Sequence, residues 1–256
     1  MSSKPASVKS PEDAKLMEKA CRLAADTLVH TARHVRPGIS TAELDRIAHD
    51  YTLSHDAQPA PLGYHGFPKS ICTSVNDIIC HGVPDGTVLK DGDIVNIDVT
   101  CIKYGFHGDT SMTVFVGKPS ETAKRIVECA EQAMYRGIEA AKPWGTTGDI
   151  GFATYKFVTK NGFHVVREIG GHGIGREFHE EPFIPAHGKK GRGDRLKPWT
   201  TFTVEPMINE FSSDIVEFEI PGSSIKYYRT KDKGLSAQFE HTILLTDSGY
   251  EILTAR

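Results

Sequence analysis

Four acids and three histidines stand where such residues are costly, and the chemistry they suggest is that of divalent cations. In residues 93–100, Val95, Ile97 and Val99 share one strand face and Asn96, Asp98 and Thr100 share the other. A second alternating run, 108–114, carries Asp109, and Lys103-Tyr104-Gly105 lies between the two. A hairpin turning between 103 and 104 sets Asp98 directly opposite Asp109. Opposed Cβ atoms lie ~5 Å apart, where like charges destabilise unless a cation intervenes. The alternative is a register slip that sends one of the two to solvent. Glu205 sits near the end of a strand at 201–206, and Glu240 lies within an otherwise apolar strand at 238–245. Glutamate is mildly depleted in strands; the alternative for each is an edge-strand carboxylate facing water.

His172 lies in Gly170-Gly171-His172-Gly173-Ile174-Gly175, a run whose glycines allow close backbone approach. Its spacing is not that of a dinucleotide-binding loop, which needs G-x-G-x-x-G opening a helix. His179 follows in Phe178-His179-Glu180-Glu181-Pro182, and His81 in Ile79-Cys80-His81-Gly82-Val83-Pro84. Any one of the three, taken alone, fits a hydrogen-bonded structural histidine. Four carboxylates with one imidazole form a mostly oxygen ligand set. Such a set can hold two ions ~3.5–4 Å apart and activate a water between them. It suits Mn, Fe or Co and tolerates Zn.

The elements that must position these groups follow from periodicity and caps. Ser10-Pro11-Glu12-Asp13 starts a helix with a hydroxyl cap, a proline and early acids. Leu16, Ala20, Leu23, Thr27 and Leu28 continue it to about His34, and Arg36-Pro37-Gly38 breaks it. A second helix begins at Thr41 with Leu44, Ile47, Ala48 and Tyr51 on one face. Turns and short strands fill 62–89, and paired strands run over 93–100 and 106–116. A third helix spans about 120–140; Pro143-Trp144-Gly145 ends it, and a fourth runs to about Lys160. Strands and loops occupy 163–255. Residues 1–9 read as a short mobile tail and 10–256 as one catalytic domain. Three motifs recur at offsets of 106, 107 and 107 residues: Arg36-Pro37 as Lys142-Pro143, the 63–67 run as 170–174, and Leu89-Lys90 as Leu196-Lys197. The constant offset predicts two similarly shaped αβ halves, about 10–117 and 118–250, with a site at their seam.

Composition narrows the class. The chain has 256 residues, 39% hydrophobic and 25% charged, which suits a globular fold. Its net charge of −3 is too balanced for a dedicated DNA binder. Five cysteines without a C-x-x-C pair exclude a zinc–cysteine site and argue against a disulfide framework. No apolar run suits a signal peptide or a membrane span, so the expectation is a cytoplasmic protein without membrane contact.

Seven ordered motifs resemble those of bacterial type I methionine aminopeptidases: His65–Ser70, Asp91–Thr100, Gly105–Thr110, Gly171–Gly175, His179–Pro182, Phe202–Met207 and Leu235–Thr242. The resemblance covers about residues 9–255. It implies an α+β pita-bread fold of two pseudo-symmetric halves with antiparallel sheets and a central dinuclear site. It matches Asp98, Asp109, His172, Glu205 and Glu240 to the ligands of two divalent ions (Co, Mn, Fe, Zn or Ni), with Asp109 and Glu240 bridging. It matches His81 and His179 to substrate-contacting histidines, and Tyr64, Phe67, Cys72 and Phe178 to a methionine side-chain pocket. The implied reaction is removal of the initiator Met from peptides and nascent chains with a small second residue. Hydroxide generated at the metals attacks the Met carbonyl, and Glu205 shuttles the proton. The resemblance also implies a cytoplasmic monomer.

The chain departs from that pattern in places. Lys142-Pro143-Trp144 and Lys197-Pro198-Trp199 stand where Lys-Pro-Gly is usual, and 224–229 lacks the family's pocket-rim Trp. The segment from Glu205 to Glu240 is a few residues longer. The basic loop of Lys189, Lys190, Arg192, Arg195 and Lys197 fits a solvated loop, with transient ribosome contact as the alternative. An X-Pro peptidase of the same fold would share the five ligands, but such enzymes usually carry a large extra N-terminal domain. A non-enzymatic binding protein of this fold would typically have lost ligands.

Overall fold

The computed structural model describes residues 9–256. The first half places α1 (Pro11–Ala32) and α2 (Thr41–Ser54) before β1 (Gln58–Pro59), β2 (Cys72–Val75), β3 (Ile78–Cys80), β4 (Ile94–Lys103) and β5 (Phe106–Phe115). Then come α3 (Glu121–Ala140), α4 (Thr147–Lys160), β6 (His164–Val165), β7 (Gly171–Gly173), β8 (Glu180–Ile184), β9 (Thr201–Val204) and β10 (Met207–Asn209). The chain closes with β11 (Ile215–Glu219), β12 (Lys226–Thr230), β13 (Ser236–Gln238), β14 (His241–Leu245) and β15 (Tyr250–Ile252).

Helix starts are chemically specified. The Ser10 hydroxyl accepts from the Asp13 N–H at 3.1 Å, with Pro11 and two acids in the first turn. Ser40 and Glu43 form a reciprocal capping box before α2, and Ser120 caps α3 through the Ala123 N–H. α1 lies on the β4–β5 pair through small buried residues, among them Ala20, Cys21, Ala24 and Ala25. The approach is close enough to require glycine opposite: a Cβ on Gly108 of β5 would stand 2.3 Å from the Cys21 nitrogen.

All strand pairings are antiparallel. β4 pairs with β5 on one side and with β1 and β2 on the other. A five-stranded sheet runs β15-β14-β9-β7-β8, and two three-stranded sheets run β13-β10-β6 and β11-β12-β3. The Ser111–Glu240 bridge joins the first-half sheet to the segment leading into β14.

Three expectations need correction. The hairpin turns at Tyr104-Gly105, both at positive φ (55° and 75°), so Asp98 faces Ser111 and Asp109 faces Thr100. A two-residue turn of this kind needs left-handed backbone at both positions, and Gly105 supplies one without strain. A shift of two positions keeps every side chain on its face, so both acids still share one surface as diagonal neighbours. Glu205 and Glu240 do not sit inside strands but at breaks, between β9 and β10 and between β13 and β14. The expected tail lies outside the described residues except for Lys9, which is buried and ion-paired, not mobile.

Candidate metal centre

The five expected ligands meet at the floor of one cavity of about 350 Å³. Asp98 comes from β4, Asp109 from β5 and His172 from the middle of β7. Glu240 is fixed by backbone: its N–H donates to Ser111 O at 3.0 Å, and its carbonyl accepts from the Thr110 hydroxyl at 2.8 Å. Asp109, His172 and Glu240 each offer a ligand atom within 4.8 Å of the others. His172 Nε2 lies 3.8 Å from Asp109 Oδ2 and 3.6 Å from Glu205 Oε1.

Hydrogen bonds orient the donors. His172 Nδ1 is 2.9 Å from its neighbour's carbonyl, Gly173 O. A carbonyl only accepts, so Nδ1 carries the proton and the Nε2 lone pair is left for a cation. Thr100 donates to Asp109 Oδ1 at 2.7 Å, and Thr203 donates to Glu205 Oε1 at 2.8 Å. Gln238 Nε2 donates to the other Glu205 oxygen at 3.1 Å. Sequence reading gave these three no role, although it placed Thr100 on the strand face of Asp98, and Thr203 stands two residues before Glu205.

Burial sets the electrostatics. Asp109 and Glu240 are 3% and 2% exposed, and among the described residues no Lys or Arg pairs with any of the four carboxylates. Burial first, then repulsion from neighbouring acids, pushes Asp109 and Glu240 well above the usual carboxylate range. Burial raises Asp98 to about 7, and burial with the Asp98 charge raises Glu205 to about 8. Burial acts oppositely on His172, lowering it to about 4. Four acids that cannot all ionise alone, beside a neutral imidazole, form a donor set that fits divalent Mn, Fe, Co or Zn.

The family model for metallopeptidase family M24 matches residues 15–247. The chain belongs to that family. This M24 chain is 50% identical over 252 residues to the methionine aminopeptidase of Escherichia coli, covering 98% of this chain and 94% of that one. It is 52% identical over 239 residues to methionine aminopeptidase A of Synechocystis sp., covering 93% of each. Among solved structures, methionine aminopeptidase from Rickettsia prowazekii superposes with a TM-score of 0.95 at 45% identity, covering 98% of this chain and 100% of that one. The fold is therefore the α+β pita-bread fold of M24, with antiparallel sheets around a candidate metal site.

The cavity walls of this M24 protein are aromatic and aliphatic. Tyr64, Phe67, Cys72, His81, Phe178 and His179 all line it, as the resemblance implies. Tyr64 and Phe178 rings lie 4.9 Å apart, and the Tyr64 hydroxyl is 2.8 Å from His179 Nδ1. Phe178 also stacks on His107 from the β5 start, with centroids 5.5 Å apart. Phe67 and Cys72 pack with Ile220, Val83 and Ile225, and Cys72 faces Asp98 across β2 and β4. His81 follows β3 at φ 57°, and its Nδ1–H donates to Lys226 O at 3.0 Å, leaving Nε2 for the cavity. Partial burial and then neighbouring His172 and His81 hold His179 below the ordinary imidazole range. Ile225 and Tyr228, from the β11–β12 hairpin, line the cavity as well. Ile169 and Phe183 complete the wall and had no distinctive sequence signal.

Proposed function

We propose that this protein is a dinuclear metalloaminopeptidase that removes the N-terminal Met from peptides and nascent proteins whose second residue is small. The observation that carries the reading is one cavity lined both by aromatic and aliphatic side chains and by four carboxylates and one imidazole, of which Asp109 and Glu240 are buried. Asp98, Asp109, His172, Glu205 and Glu240 would hold the two ions. The bound ions supply Lewis acidity, which makes water nucleophilic near neutral pH.

The chain's own groups divide the remaining work. Tyr64, Phe67, Cys72 and Phe178 receive the unbranched, polarizable Met side chain. Glu205, oriented by the Thr203 hydroxyl and by Gln238 Nε2, would take a proton from the attacking water and pass it to the leaving amine. With the Tyr64 hydroxyl donating to Nδ1, His179 presents an Nε2–H donor to the carbonyl oxygen as charge develops. His81, its Nδ1–H held by Lys226 O, presents an acceptor to a substrate N–H.

The reading includes a cytoplasmic monomer that meets nascent chains, with passing ribosome contact through the five exposed basic residues of the 187–197 loop. Among the described residues, no helix is long and apolar enough to cross a membrane. A peptide panel tests the activity: Met-Ala-Ser, Met-Leu-Ser and Ala-Pro-Ser, assayed with Mn or Co and with chelator. The expected result is metal-dependent release of Met, faster from Met-Ala-Ser than from Met-Leu-Ser. Preferential cleavage of Ala-Pro-Ser would assign an X-Pro peptidase instead, and no cleavage at all would overturn the enzyme reading.

A further inference from the structure

We infer that Lys9, the residue just before the cap of α1, is a positioning residue for His179, acting through Glu180. The inference rests on the carbonyl-donor role proposed for His179. Lys9 Nζ lies 2.9 Å from Glu180 Oε2, with side chains 3% and 12% exposed, so both charges are taken out of water. The Lys9 backbone is fixed as well, its N–H donating to Trp199 O at 2.7 Å. Glu180 uses its second oxygen to close a turn, accepting the Glu177 N–H on Oε1 at 3.2 Å. Phe178 and His179 project from inside that turn. Its other end is pinned at Gly175, whose N–H donates to Glu177 O at 3.1 Å and whose carbonyl accepts the His107 N–H at 2.8 Å. Gly175 also leaves room for the ammonium: a Cβ there would stand 2.4 Å from Lys9 Nζ.

His179 is thus the outermost member of a chain of contacts that begins at Lys9, 170 residues earlier in sequence. His179 itself has no ladder partner; the ladder resumes at the next residue, Glu180, whose backbone pairs with Gly173 while its side chain is left to the Lys9 contact. Removing one partner of a buried ion pair leaves the other charge uncompensated, so Glu180 would turn toward water and the 177–180 turn would open. A donor displaced by about an ångström loses on the order of 10²-fold in rate at most. The hydrogen bonds that orient the floor, from Thr100, Thr203 and Gln238, involve neither Lys9 nor Glu180, so its five groups would stay in place.

The test is a double-mutant cycle in the metal-loaded full chain, with Lys9→Met, His179→Ala and the pair, assayed on Met-Ala-Ser. Lys9→Met is expected to lower kcat about 10–100-fold, with KM and metal stoichiometry within about twofold of the unaltered protein. In the His179→Ala background the same substitution is expected to change kcat less than about twofold, because the group it positions is gone. Equal losses in both backgrounds, or full activity in Lys9→Met, would overturn the inference. Should Lys9→Met not fold, Glu180→Gln breaks the same pair while keeping an acceptor for the Glu177 N–H, and the same cycle applies. If His179→Ala itself retains full activity, the His179 role fails and takes the inference with it. A slow His179→Ala beside a fully active Lys9→Met rejects the clamp alone.

Discussion

The floor and the wall of the cavity are built in different ways. Asp98 and Asp109 stand on β4 and β5, ten-residue strands paired along their whole length, and His172 stands on β7, which has β8 on one edge and β9 on the other, and is itself paired with Phe183. Their relative positions are set by ladders. Part of the wall, including Cys72 and Tyr228, also sits on paired strands, but four wall groups have no ladder. Tyr64 sits in a single helical turn, His81 just beyond β3, and Phe178 and His179 in the segment between β7 and β8. Each is held by a one-off contact: Tyr64 to His179, His81 to Lys226 O, Glu180 to Lys9. The floor needs rigid spacing because ions tolerate little error in donor position, whereas the wall can vary with the side chains that frame it. The β11–β12 hairpin contributes Ile225 and Tyr228 to that wall.

That contrast predicts graded effects. Asp109→Asn and Glu240→Gln keep shape but remove an anionic oxygen from the floor. Each should lower kcat by more than the ~10–100-fold that follows loss of a group hydrogen-bonded to a ligand, while circular dichroism shows a folded protein. If either keeps most of its activity at saturating metal, the placement of that acid among the ligands is wrong.

Metal removal should separate the regions by stability. Cations binding only the native floor add about 2.7 kcal/mol at a hundredfold excess over Kd, or ~5–10 °C in Tm for a chain of this size. The metal-free protein should also depend on pH in a definite direction. Asp98 at about 7 and Glu205 at about 8 bind protons in the native state that the unfolded chain has already released. Metal-free stability therefore falls as pH rises through these values. Below about 6.5 the lowered histidines, His172 at about 4 among them, act in the opposite sense because the native state then binds fewer protons. The clean window is pH 6.5 to 8, where Tm of the chelated protein should drop and Tm of the Mn-loaded protein should hold. An unchanged Tm on chelation would break the cation assignment.

The smallest effect lies away from both regions. Trp144 and Trp199 each adopt φ 64° directly after Lys-Pro, and Gly38 holds the corresponding φ of 90° after Pro37. A left-handed non-glycine residue costs about 1–2 kcal/mol, and glycine returns about 0.5–1 kcal/mol of that through unfolded-state entropy. Trp144 is 58% exposed, so little packing is lost on its removal. Trp144→Gly should raise Tm by a few degrees with activity unaltered; a lower Tm would mean that the indole packs better than its exposure indicates.

The helices and the floor were legible in sequence because their signals are local. Ser10, Ser40 and Ser120 cap helices whose apolar periodicity is plain, and alternation put Asp98 and Asp109 on polar strand faces. The hairpin register was missed by two because Tyr104, a residue that rarely takes positive φ, shares the turn with Gly105. The chemistry survived that error since an even shift preserves the face. Glu205 read as a strand residue although Pro206 directly after it is a local break signal, and Glu240 did so because the break beside it, at the Ser111 bridge, depends on the neighbouring half. Lys9 was illegible for the same reason: within a Ser, Lys and Pro stretch it reads as solvated, and its partner Glu180 lies 171 residues away.

The division between floor and wall is tested most directly by the two adjacent histidines, whose rings lie 4.2 Å apart. Calorimetric titration of Mn or Co into the metal-free His172→Ala and His179→Ala proteins, with kcat measured on the loaded forms, asks which one holds a cation. His179→Ala should bind the ions with unaltered stoichiometry and affinity, keep KM nearly unchanged, and lose on the order of 10²–10³ in kcat as an absent carbonyl donor. His172→Ala should lose a cation. Loss of a cation from His179→Ala, or unaltered cation binding by His172→Ala, would contradict the account.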